Sequence, residues 1–307
     1  MGTPAFAVPS LRALVEGGYD VVAVYTQPDR KAGRGQRLTF SPVKEVALSL
    51  GLEVVQPESL KNAGVVKHLS SYAPEVIVIA AFGKILPAEV LALPRFGCVN
   101  VHPSLLPRHR GPSPVAAAIL NGDETTGVTI MLLDEGVDSG PILSQQEAPI
   151  LEDDTTGSLT ARLAEVGARL LIETLPLWIK GKIAPKSQDE SQATYSSVVG
   201  KEAGRVDWQL PAVEIWRRVR AFEPSPGSYT WWKGKRLKLC KVVPLEVALQ
   251  AEPGEVVVLP RGLSAVVGVG TGRGILGLIS VHPEGKRQMS VEEFIRGQRD
   301  FVGSKLL

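Results

Sequence analysis

The chain has 307 residues, of which 44% are hydrophobic and 21% are charged, a composition typical of a globular protein long enough for two domains. The net charge of +2 hides an uneven distribution. Residues 1–200 carry 17 Lys and Arg against 21 Asp and Glu, whereas residues 201–307 carry 17 against 11. The basic carboxy-terminal third indicates an anionic partner, and a basic surface kept only for solubility is the alternative.

Several classes of protein are disfavoured by single features of the sequence. The two cysteines, Cys98 and Cys240, lie far apart, which argues against a disulfide framework and fits a reducing cytoplasm. The four histidines are scattered, so no metal site is predicted. No apolar run reaches the roughly 18 residues of a membrane-spanning helix, and no charged-then-apolar leader precedes the first motif. We therefore expect a cytoplasmic protein without a membrane partner.

Helices and strands alternate through the first 133 residues, which predicts an α/β protein with a doubly wound, mostly parallel Rossmann-like sheet. The continuous apolar run at 75–82 is typical of a parallel strand covered on both faces. The chain begins at the turn Gly-Thr-Pro-Ala, residues 2–5, with no strand before it. We expect either an upstream segment that supplies that strand or a fold that tolerates the gap.

A short buried strand is predicted over residues 98–101, and it stops at Pro103, which cannot extend a ladder. Side chains alternate along a strand, so Asn100 and His102 point to the same face. Open α/β sheets place their ligand sites at the carboxyl ends of strands. The loop at 104–107 follows, and its two leucines are expected to be exposed.

Asn100 and His102 together suit the addition of a nucleophile to a carbonyl group. An amide can donate to an oxygen that gains negative charge, and an imidazole can take or give a proton near neutral pH. Asp138, in the glycine-punctuated loop after a strand predicted at 127–133, is the candidate carboxylate. The alternative is structural, because an Asn and a His beside a proline are more often turn formers than catalysts.

Beyond residue 200 the pattern changes to short apolar strands separated by glycines and prolines, which suggests a small β-barrel. The predicted strands are 228–232, 236–243, 254–259, 265–269 and 274–281. A long helix at 155–179 and a polar stretch at 181–197 precede this half. We therefore predict a catalytic domain over residues 1–180, a linker over 181–200 and a second domain over 201–307.

Basic side chains cluster beside two tryptophans in the first hairpin of the second half. They are Lys233, Lys235, Arg236, Lys238 and Lys241, next to Trp231 and Trp232. Basic and aromatic side chains together suit a nucleic-acid backbone. The alternative is a solvated hairpin whose tryptophans belong to the core, and we expect at least one of them to do so.

Several motifs, in order, resemble those of the folate-dependent formyltransferases, and the likeness covers nearly the whole chain. The first two are Asn-Val-His-Pro-Ser-Leu-Leu-Pro at 100–107 and Gly-Val-Asp-Ser-Gly at 136–140. The flanking motifs narrow the resemblance to the enzymes that act on methionyl-initiator tRNA. They are Gly-Thr-Pro-Ala-Phe-Ala at 2–7, Thr-Gln-Pro-Asp-Arg-Lys-Ala-Gly-Arg-Gly at 26–35, Ser-Pro-Val-Lys at 41–44, Gly-Val-Thr-Ile-Met at 127–131 and Arg-Ala-Phe at 220–222.

The resemblance implies transfer of the formyl group of 10-formyltetrahydrofolate to the amino group of methionyl-initiator tRNA, with no metal. It places the catalytic roles on Asn100, His102 and Asp138. Asn100 and a protonated His102 would stabilise the oxyanion, and Asp138 would orient His102. The resemblance also implies that residues 201–307 form an OB-like, tRNA-binding barrel and that the protein is a monomer.

Two further groups of residues take their roles from the resemblance. The implied folate-binding residues are Ser104, Leu105, Leu106, Pro107, Phe82, Gly83, Ile85 and Leu86. The implied tRNA-binding residues are Arg34, Arg37, Lys233, Lys235, Arg236 and Lys238. Phe82 and Ile85 could equally seal the core, and the loop that carries Arg34 could be a mobile surface loop.

Three rival functions are set against this interpretation. A formyltransferase for a sugar nucleotide or a purine precursor is disfavoured by the loop at 27–35 and by the basic second half. A non-catalytic RNA-binding protein is disfavoured by the intact Asn100, His102 and Asp138. A dinucleotide-dependent oxidoreductase is disfavoured because the Gly-x-Gly-x-x-Gly fingerprint is absent from the sequence.

Overall fold

The structure is a computed structural model that describes the backbone of residues 1–32 and 37–307 and the side chains of residues 1–30 and 38–307. The chain forms two compact units. The first unit comprises residues 1–115, 124–150 and 158–197, and the second comprises residues 116–123, 151–157 and 198–307. The domain boundaries drawn from the sequence stay a prediction.

Helices and strands alternate along the first part of the chain, as predicted. They are α1 (Val8–Glu16), β1 (Val24–Tyr25), β2 (Arg30–Ala32), β3 (Arg37–Thr39), α2 (Pro42–Ser49), β4 (Val54–Val55), α3 (Ala63–Ser71), β5 (Ile77–Ile79), α4 (Ala88–Leu91), β6 (Cys98–His102), α5 (Pro114–Asn121), β7 (Thr125–Leu132), β8 (Ile142–Pro149) and α6 (Thr156–Ile179). Local chemistry sets the start of α2, because Ser41 Oγ accepts the backbone N–H of Lys44 at 3.1 Å and Pro42 takes the first helical position.

The central sheet of the first unit is mixed rather than mostly parallel. Strand β5 runs parallel to β6, but β7 runs antiparallel to β6, and β8 antiparallel to β7. The prediction of a mostly parallel sheet is therefore wrong for this half of it. Strands β6 and β7 are joined through the helix α5, and a helical connection does not by itself fix the direction of the strand that follows. Strands β7 and β8 are joined by the loop at 133–141, which is short enough to connect antiparallel neighbours. Strand β8 was missed because much of it is exposed.

The first two residues lie between β1 and β5. The N–H of Gly2 donates to the carbonyl of Tyr25 at 3.0 Å, and the N–H of Ala80 donates to the carbonyl of Met1 at 3.0 Å. Strand β1 pairs in parallel with β4, so these bonds connect the β1–β4 sheet with the four-stranded sheet of β5, β6, β7 and β8. Next to them is an apolar cavity of about 150 Å³, lined in part by residues 21–25 and 76–78. The expectation of an upstream segment stays a prediction.

The second unit is a curled antiparallel sheet with helices, and it contains the five strands predicted from the sequence. Its elements are α7 (Ala212–Ala221), β9 (Ser228–Trp232), β10 (Lys235–Leu245), β11 (Val256–Val258), β12 (Val267–Gly270), β13 (Ile275–Pro283), β14 (Met289–Ser290) and α8 (Val291–Gly297). The strand order is β11-β12-β13-β10-β9, and β14 pairs with β13. Ser290 caps α8 by accepting the N–H of Glu293 at 3.2 Å, as predicted.

The last residues of the chain bond to both outer strands of this sheet. Leu307 and Trp231 of β9 exchange two backbone hydrogen bonds of 3.1 Å, and Val256 of β11 donates to the carbonyl of Ser304 at 2.9 Å. Between these edges lies an apolar core that includes Leu239, fully buried, and residues of α7. The sheet therefore curls around its core, and the carboxy-terminal residues satisfy edge groups that a free strand would leave unpaired.

Candidate active site

Strand β6 holds Asn100 and His102 on one face of the central sheet. It is paired on both sides, with Asn100 opposite Ile79 of β5 and Met131 of β7. Because hydrogen bonds on both sides fix the strand, the two side chains have little freedom of position. Asn100 is 8% exposed and His102 is 4% exposed. The pair therefore sits in a rigid, largely desolvated position at the end of a strand, as the sequence predicted.

The opposite face of β6 is closed by close helix packing. Val99 and Val101 are buried there, and a Cβ on Gly167 of α6 would lie only 2.7 Å from Val101 Cγ1. Glycine at this position lets the helix approach the strand more closely than a larger residue would allow. This packing supports the strand from behind the polar pair.

Asp138 lies beside both members of that pair. Its Oδ1 is 3.5 Å from Asn100 Nδ2, and its Oδ2 is 3.6 Å from His102 Nδ1. The same Oδ2 accepts the backbone N–H of Gly111 at 2.8 Å. The distances to Asn100 and His102 are long for direct hydrogen bonds. The structure thus brings together the three side chains that the sequence singled out, as a loosely spaced group.

The protonation of His102 follows from its partners. Its Nε2 is 3.1 Å from the carbonyl oxygen of His109, and because a carbonyl can only accept, Nε2 carries the proton. Burial lowers the pKa of His102 below its ordinary value of 6.5, and the nearby charge of Asp138 opposes that shift more weakly. The imidazole is therefore neutral at pH 7, with a free lone pair on Nδ1 that faces Asp138. The protonated His102 that the resemblance implied for the reaction itself stays a prediction.

The backbone of Asp138 has an unusual conformation. Its φ is +50°, in the left-handed region that residues other than glycine seldom occupy. Such residues persist only where surrounding contacts hold them, and they cluster at functional sites. The carboxylate is therefore presented by a loop that depends on its neighbours for its shape.

Hydrogen bonds to strand β7 and to β8 hold the loop Ser104–Pro107. Thr129 Oγ1 donates to the carbonyl of Ser104 at 2.6 Å and accepts the N–H of Leu106 at 3.1 Å. Gln145 Nε2 donates to the carbonyl of Leu106 at 2.9 Å. Leu106 is buried and Leu105 is partly buried, so the expectation of two exposed leucines is wrong. The bonds to Thr129 and Gln145 draw the loop onto the sheet, which sequence alone did not reveal.

The other folate-binding candidates divide between the core and the surface. Phe82 and Leu86 are buried in a cluster with Tyr25, whereas Gly83 is exposed and Ile85 is 84% exposed. Phe82 thus belongs to the core, as one of our two alternatives held, but Ile85 does not.

A network centred on Arg110 was not found from the sequence. This side chain is 1% exposed, and its guanidinium bonds to Gln188, Glu190 and Tyr195. The carboxylate of Glu190 raises the pKa of Arg110, and Arg110 in turn lowers the pKa of Glu190. The partners lie about 80 residues away in a polar stretch with no periodic pattern, so no sequence signal marked them.

The candidate tRNA-binding residues differ in how far the structure describes them and in their ion pairs. Arg34 lies outside the described residues, and only the backbone of Arg37, in β3, is described. In the second unit, Lys233 pairs with Asp300, and Lys238 pairs with Glu223 at 2.9 Å. The Lys233 pair is exposed, whereas the Lys238 pair is partly buried. An exposed pair is weak and does not prevent a phosphate contact.

Two other candidates in the hairpin are exposed. Lys235 has no ion pair with any residue whose side chain the structure describes, and Arg236 lies over the ring of Tyr229 at 3.6 Å. Trp231 is 37% exposed, whereas Trp232 packs edge-to-face on Phe294 and Phe301. One tryptophan therefore belongs to the core, as expected, and the other remains open to solvent.

Neither a metal-binding cluster nor a membrane-spanning helix is found in the part of the chain that the structure describes. Among those residues, no group of three or more His, Cys, Asp or Glu side chains could hold a metal ion. None of the described helices is both long enough and apolar enough to cross a membrane.

Taken as chemistry, the site provides three functions around one point. Asn100 supplies an amide donor, His102 a neutral imidazole with a free lone pair, and Asp138 a carboxylate next to both. A donor for a developing oxyanion and a base for a proton are what nucleophilic addition to a carbonyl requires. The mixed α/β fold and this site are those expected of a group-transfer enzyme that acts on a carbonyl carbon.

Comparison with protein families identifies the class. Residues 1–175 match the family model described as formyl transferase, and residues 199–299 match the formyl transferase C-terminal domain. The chain belongs to the formyl transferase family and is an enzyme of that family.

Curated relatives share nearly the whole length of the chain. The methionyl-tRNA formyltransferase of Caldanaerobacter subterraneus subsp. tengcongensis is 46% identical over 298 residues, which are 97% of this chain and 95% of that protein. The methionyl-tRNA formyltransferase of Methylococcus capsulatus is 47% identical over 96% of this chain and 94% of that protein.

A solved structure shares the fold at lower identity. The sugar 3N-formyl transferase WlaRD, crystallised in the presence of dTDP and 5-N-formyl-THF, superposes with a TM-score of 0.65. The identity is 18% over 93% of this chain and 96% of that chain. This likeness supports the fold.

Proposed function

We propose that the protein transfers the formyl group of 10-formyltetrahydrofolate to the amino group of methionyl-initiator tRNA. The observation that carries the proposal is the 46–47% identity, over nearly the full length of both chains, to proteins named methionyl-tRNA formyltransferase. The grouping of Asn100, His102 and Asp138 at the end of β6 supports it independently, because the reaction passes through a tetrahedral oxyanion.

The proposed reaction moves one proton from the amine to the folate nitrogen. The methionyl amine attacks the formyl carbon, forming a new N–C bond, and an N–H of Asn100 donates to the oxyanion. The lone pair on His102 Nδ1 takes the proton that the amine loses, and Asp138 stabilises the imidazolium that forms. His102 then returns the proton to the folate nitrogen as the C–N bond to folate breaks.

The folate donor is assigned to the face of the first unit near β5 and β6. Of the candidate contacts, Gly83, Ile85, Leu105 and Pro107 retain accessible surface. The other candidates are buried, and their packing fixes the backbone of residues 104–107 and 82–86. They are Ser104, Leu106, Phe82 and Leu86. The folate donor is a substrate, because it is bound and released in each turnover.

The remaining assignments concern the whole protein. We infer a catalytic domain over residues 1–180, a linker over 181–200 and a tRNA-binding domain over 201–307 that is OB-like. The curled antiparallel sheet and the excess of Lys and Arg in that part of the chain support this last assignment. We expect the protein to lie in the cytoplasm, because the proposed partner is a tRNA of translation, and we propose that it is a monomer.

Transfer of labelled formyl tests this function directly. The purified protein is given labelled 10-formyltetrahydrofolate with methionyl-initiator tRNA, a dTDP-linked amino sugar and glycinamide ribonucleotide as competing acceptors. We expect label on the tRNA alone. Label on the sugar or on the ribonucleotide, with none on the tRNA, would reassign the acceptor.

The pH dependence of His102 is the first further prediction. We expect its pKa to lie below 6.5 because burial disfavours the charged ring, and to fall further in Asp138→Asn because that change removes the charge that favours protonation. This lowered pKa also sets how the free energy of unfolding changes with pH. Below pH 6.5 the unfolded chain binds a proton at this residue more readily than the folded chain, so the free energy of unfolding decreases as the pH falls.

NMR titration of isotopically labelled histidine measures these pKa values. The chain has four histidines, and the spectrum of a His102→Gln variant assigns the resonance of interest. A titration of His102 above pH 7 in the wild-type protein would contradict a neutral resting imidazole.

Binding of tRNA gives the second prediction. We expect Lys235→Ala to weaken binding and to reduce the slope of log affinity against log salt concentration by about 0.9, the value for one lost phosphate contact. The exposed ammonium of Lys235 is available for such a contact. Affinity is measured at several salt concentrations.

Lys305→Ala is the matched control, because Lys305 is also exposed but pairs with Glu252 at 2.8 Å. We expect its salt slope to match that of the wild-type protein. A Lys235→Ala slope identical to that of the wild-type protein would remove this hairpin from the proposed tRNA surface.

A further inference from the structure

The guanidinium of Arg110 has a partner for every N–H it carries. Nε and Nη2 donate to Gln188 Oε1 at 3.1 and 2.9 Å. Nη2 also donates to Glu190 Oε1 at 2.6 Å, while Nη1 donates to Glu190 Oε2 at 2.9 Å and to the Tyr195 hydroxyl at 3.1 Å. A buried cation whose donors are all used is held in one position. Arg110 therefore fixes the orientation of Gln188.

The amide of Gln188, held by Arg110, in turn holds the backbone of the loop that carries Asp138. Its Oε1 accepts from Arg110, and its Nε2 donates to the carbonyl of Asp138 at 2.8 Å and to the carbonyl of Gly140 at 2.7 Å. Both N–H groups and the oxygen are thus engaged, so the amide cannot turn over without losing bonds. One side chain holds the backbone of the candidate carboxylate and that of a residue just after it.

Backbone hydrogen bonds of Arg110 and of the next residue hold the same region through a second set of contacts. Its N–H donates to the carbonyl of Thr194 at 2.8 Å, and its carbonyl accepts the N–H of Ser196 at 2.7 Å. The next residue, Gly111, donates its N–H to the carboxylate of Asp138. The carboxylate and the main chain of Asp138 are therefore both held by groups that depend on Arg110.

We propose that Arg110 and Gln188 are positioning residues that hold Asp138 in its left-handed conformation, with its carboxylate against Asn100 and His102. The left-handed φ of Asp138 needs support from its surroundings, and the two bonds from Gln188 provide it. This inference deepens the proposed function and rests on it for its kinetic consequences, although its effect on the position of Asp138 does not depend on the substrate.

Kinetics of Gln188→Ala provide the first test. We expect kcat for formyl transfer to fall about 10- to 100-fold, as for a misplaced reacting group, while the KM for the folate donor changes by less than about threefold. Gln192→Ala is the matched control, since Gln192 lies in the same segment and its amide bonds to Asp189. The control is expected to keep the wild-type kcat.

Gln188→Glu shows whether a loss of kcat comes from the lost hydrogen bonds and not from a loss of side-chain packing. It keeps the size of the side chain and the contact with Arg110, but it places an oxygen where the N–H donors faced the carbonyls of Asp138 and Gly140. We expect it to lose at least as much kcat as Gln188→Ala, and its melting temperature shows whether the protein is still folded. Wild-type kcat in both folded variants would overturn the proposal.

A double-mutant cycle separates positioning from general stability. If Gln188 acts through Asp138, Gln188→Ala should cost nothing more in an Asp138→Asn background. An equal fold decrease in kcat in both backgrounds would overturn the proposal.

Histidine NMR tests this inference without the reaction. If the wild-type protein transfers no formyl group, the proposed function fails, but the NMR measurement still decides whether Gln188 positions Asp138. Gln188→Ala should lower the pKa of His102 in the same direction as Asp138→Asn, and an unchanged pKa would refute it.

Discussion

Formyl transfer by a His102→Ala variant is expected to fall by about 100- to 10,000-fold, the range for loss of a positioned general base. His102 is the only described group whose free lone pair faces Asp138 next to Asn100, because its other ring nitrogen donates to the carbonyl of His109. Without it, the proton of the attacking amine must leave to water. The measurement is kcat with labelled 10-formyltetrahydrofolate and methionyl-tRNA at saturating concentrations.

Two controls keep that result interpretable. His282→Ala removes an exposed histidine of the second unit and should retain wild-type kcat. Thermal unfolding of His102→Ala shows whether the cavity left in a buried site has destabilised the fold. A folded His102→Ala protein with near-normal turnover would exclude His102 as the base.

An Asn100→Ala variant is expected to lose about 100- to 1,000-fold in kcat, the effect of removing one oxyanion donor. The Asn100 amide has two N–H groups, and one of them faces Asp138 at 3.5 Å, so the other can donate to the substrate oxygen. Because this bond strengthens only as negative charge develops, the affinity for the folate donor should change little. Single-turnover kinetics and equilibrium binding of a folate analogue measure the two effects separately.

Asn121→Ala, at the exposed end of α5, is the matched control for loss of an asparagine amide, and it should keep wild-type kcat. If Asn100→Ala weakens folate binding by the same factor as it lowers kcat/KM, with kcat unchanged, then Asn100 acts in ground-state binding. That outcome would assign the oxyanion to other donors.

Local rules in the sequence determined much of the fold. Alternation along residues 98–102 placed Asn100 and His102 on one face, and Pro103 ended the strand, because these are properties of a few neighbouring residues. The same holds for the caps at Ser41 and Ser290 and for the hairpin turn before Lys235, where the two turn residues have positive φ. The roles of the candidate site residues remain predictions for the experiments above.

The tertiary structure decided what depends on residues far apart in the chain. The direction of β7, the presence of β8 and the burial of Leu106 follow from pairing and hydrogen bonds that no local pattern encodes. The protonation of His102 depends on burial and on the His109 carbonyl, which a motif does not contain. The hydrogen bonds that link Arg110 through Gln188 to Asp138 span about 80 positions of the chain. Side-chain hydrogen bonds leave no periodic pattern in a sequence, so the polar segment around Gln188 gave no sign of these contacts.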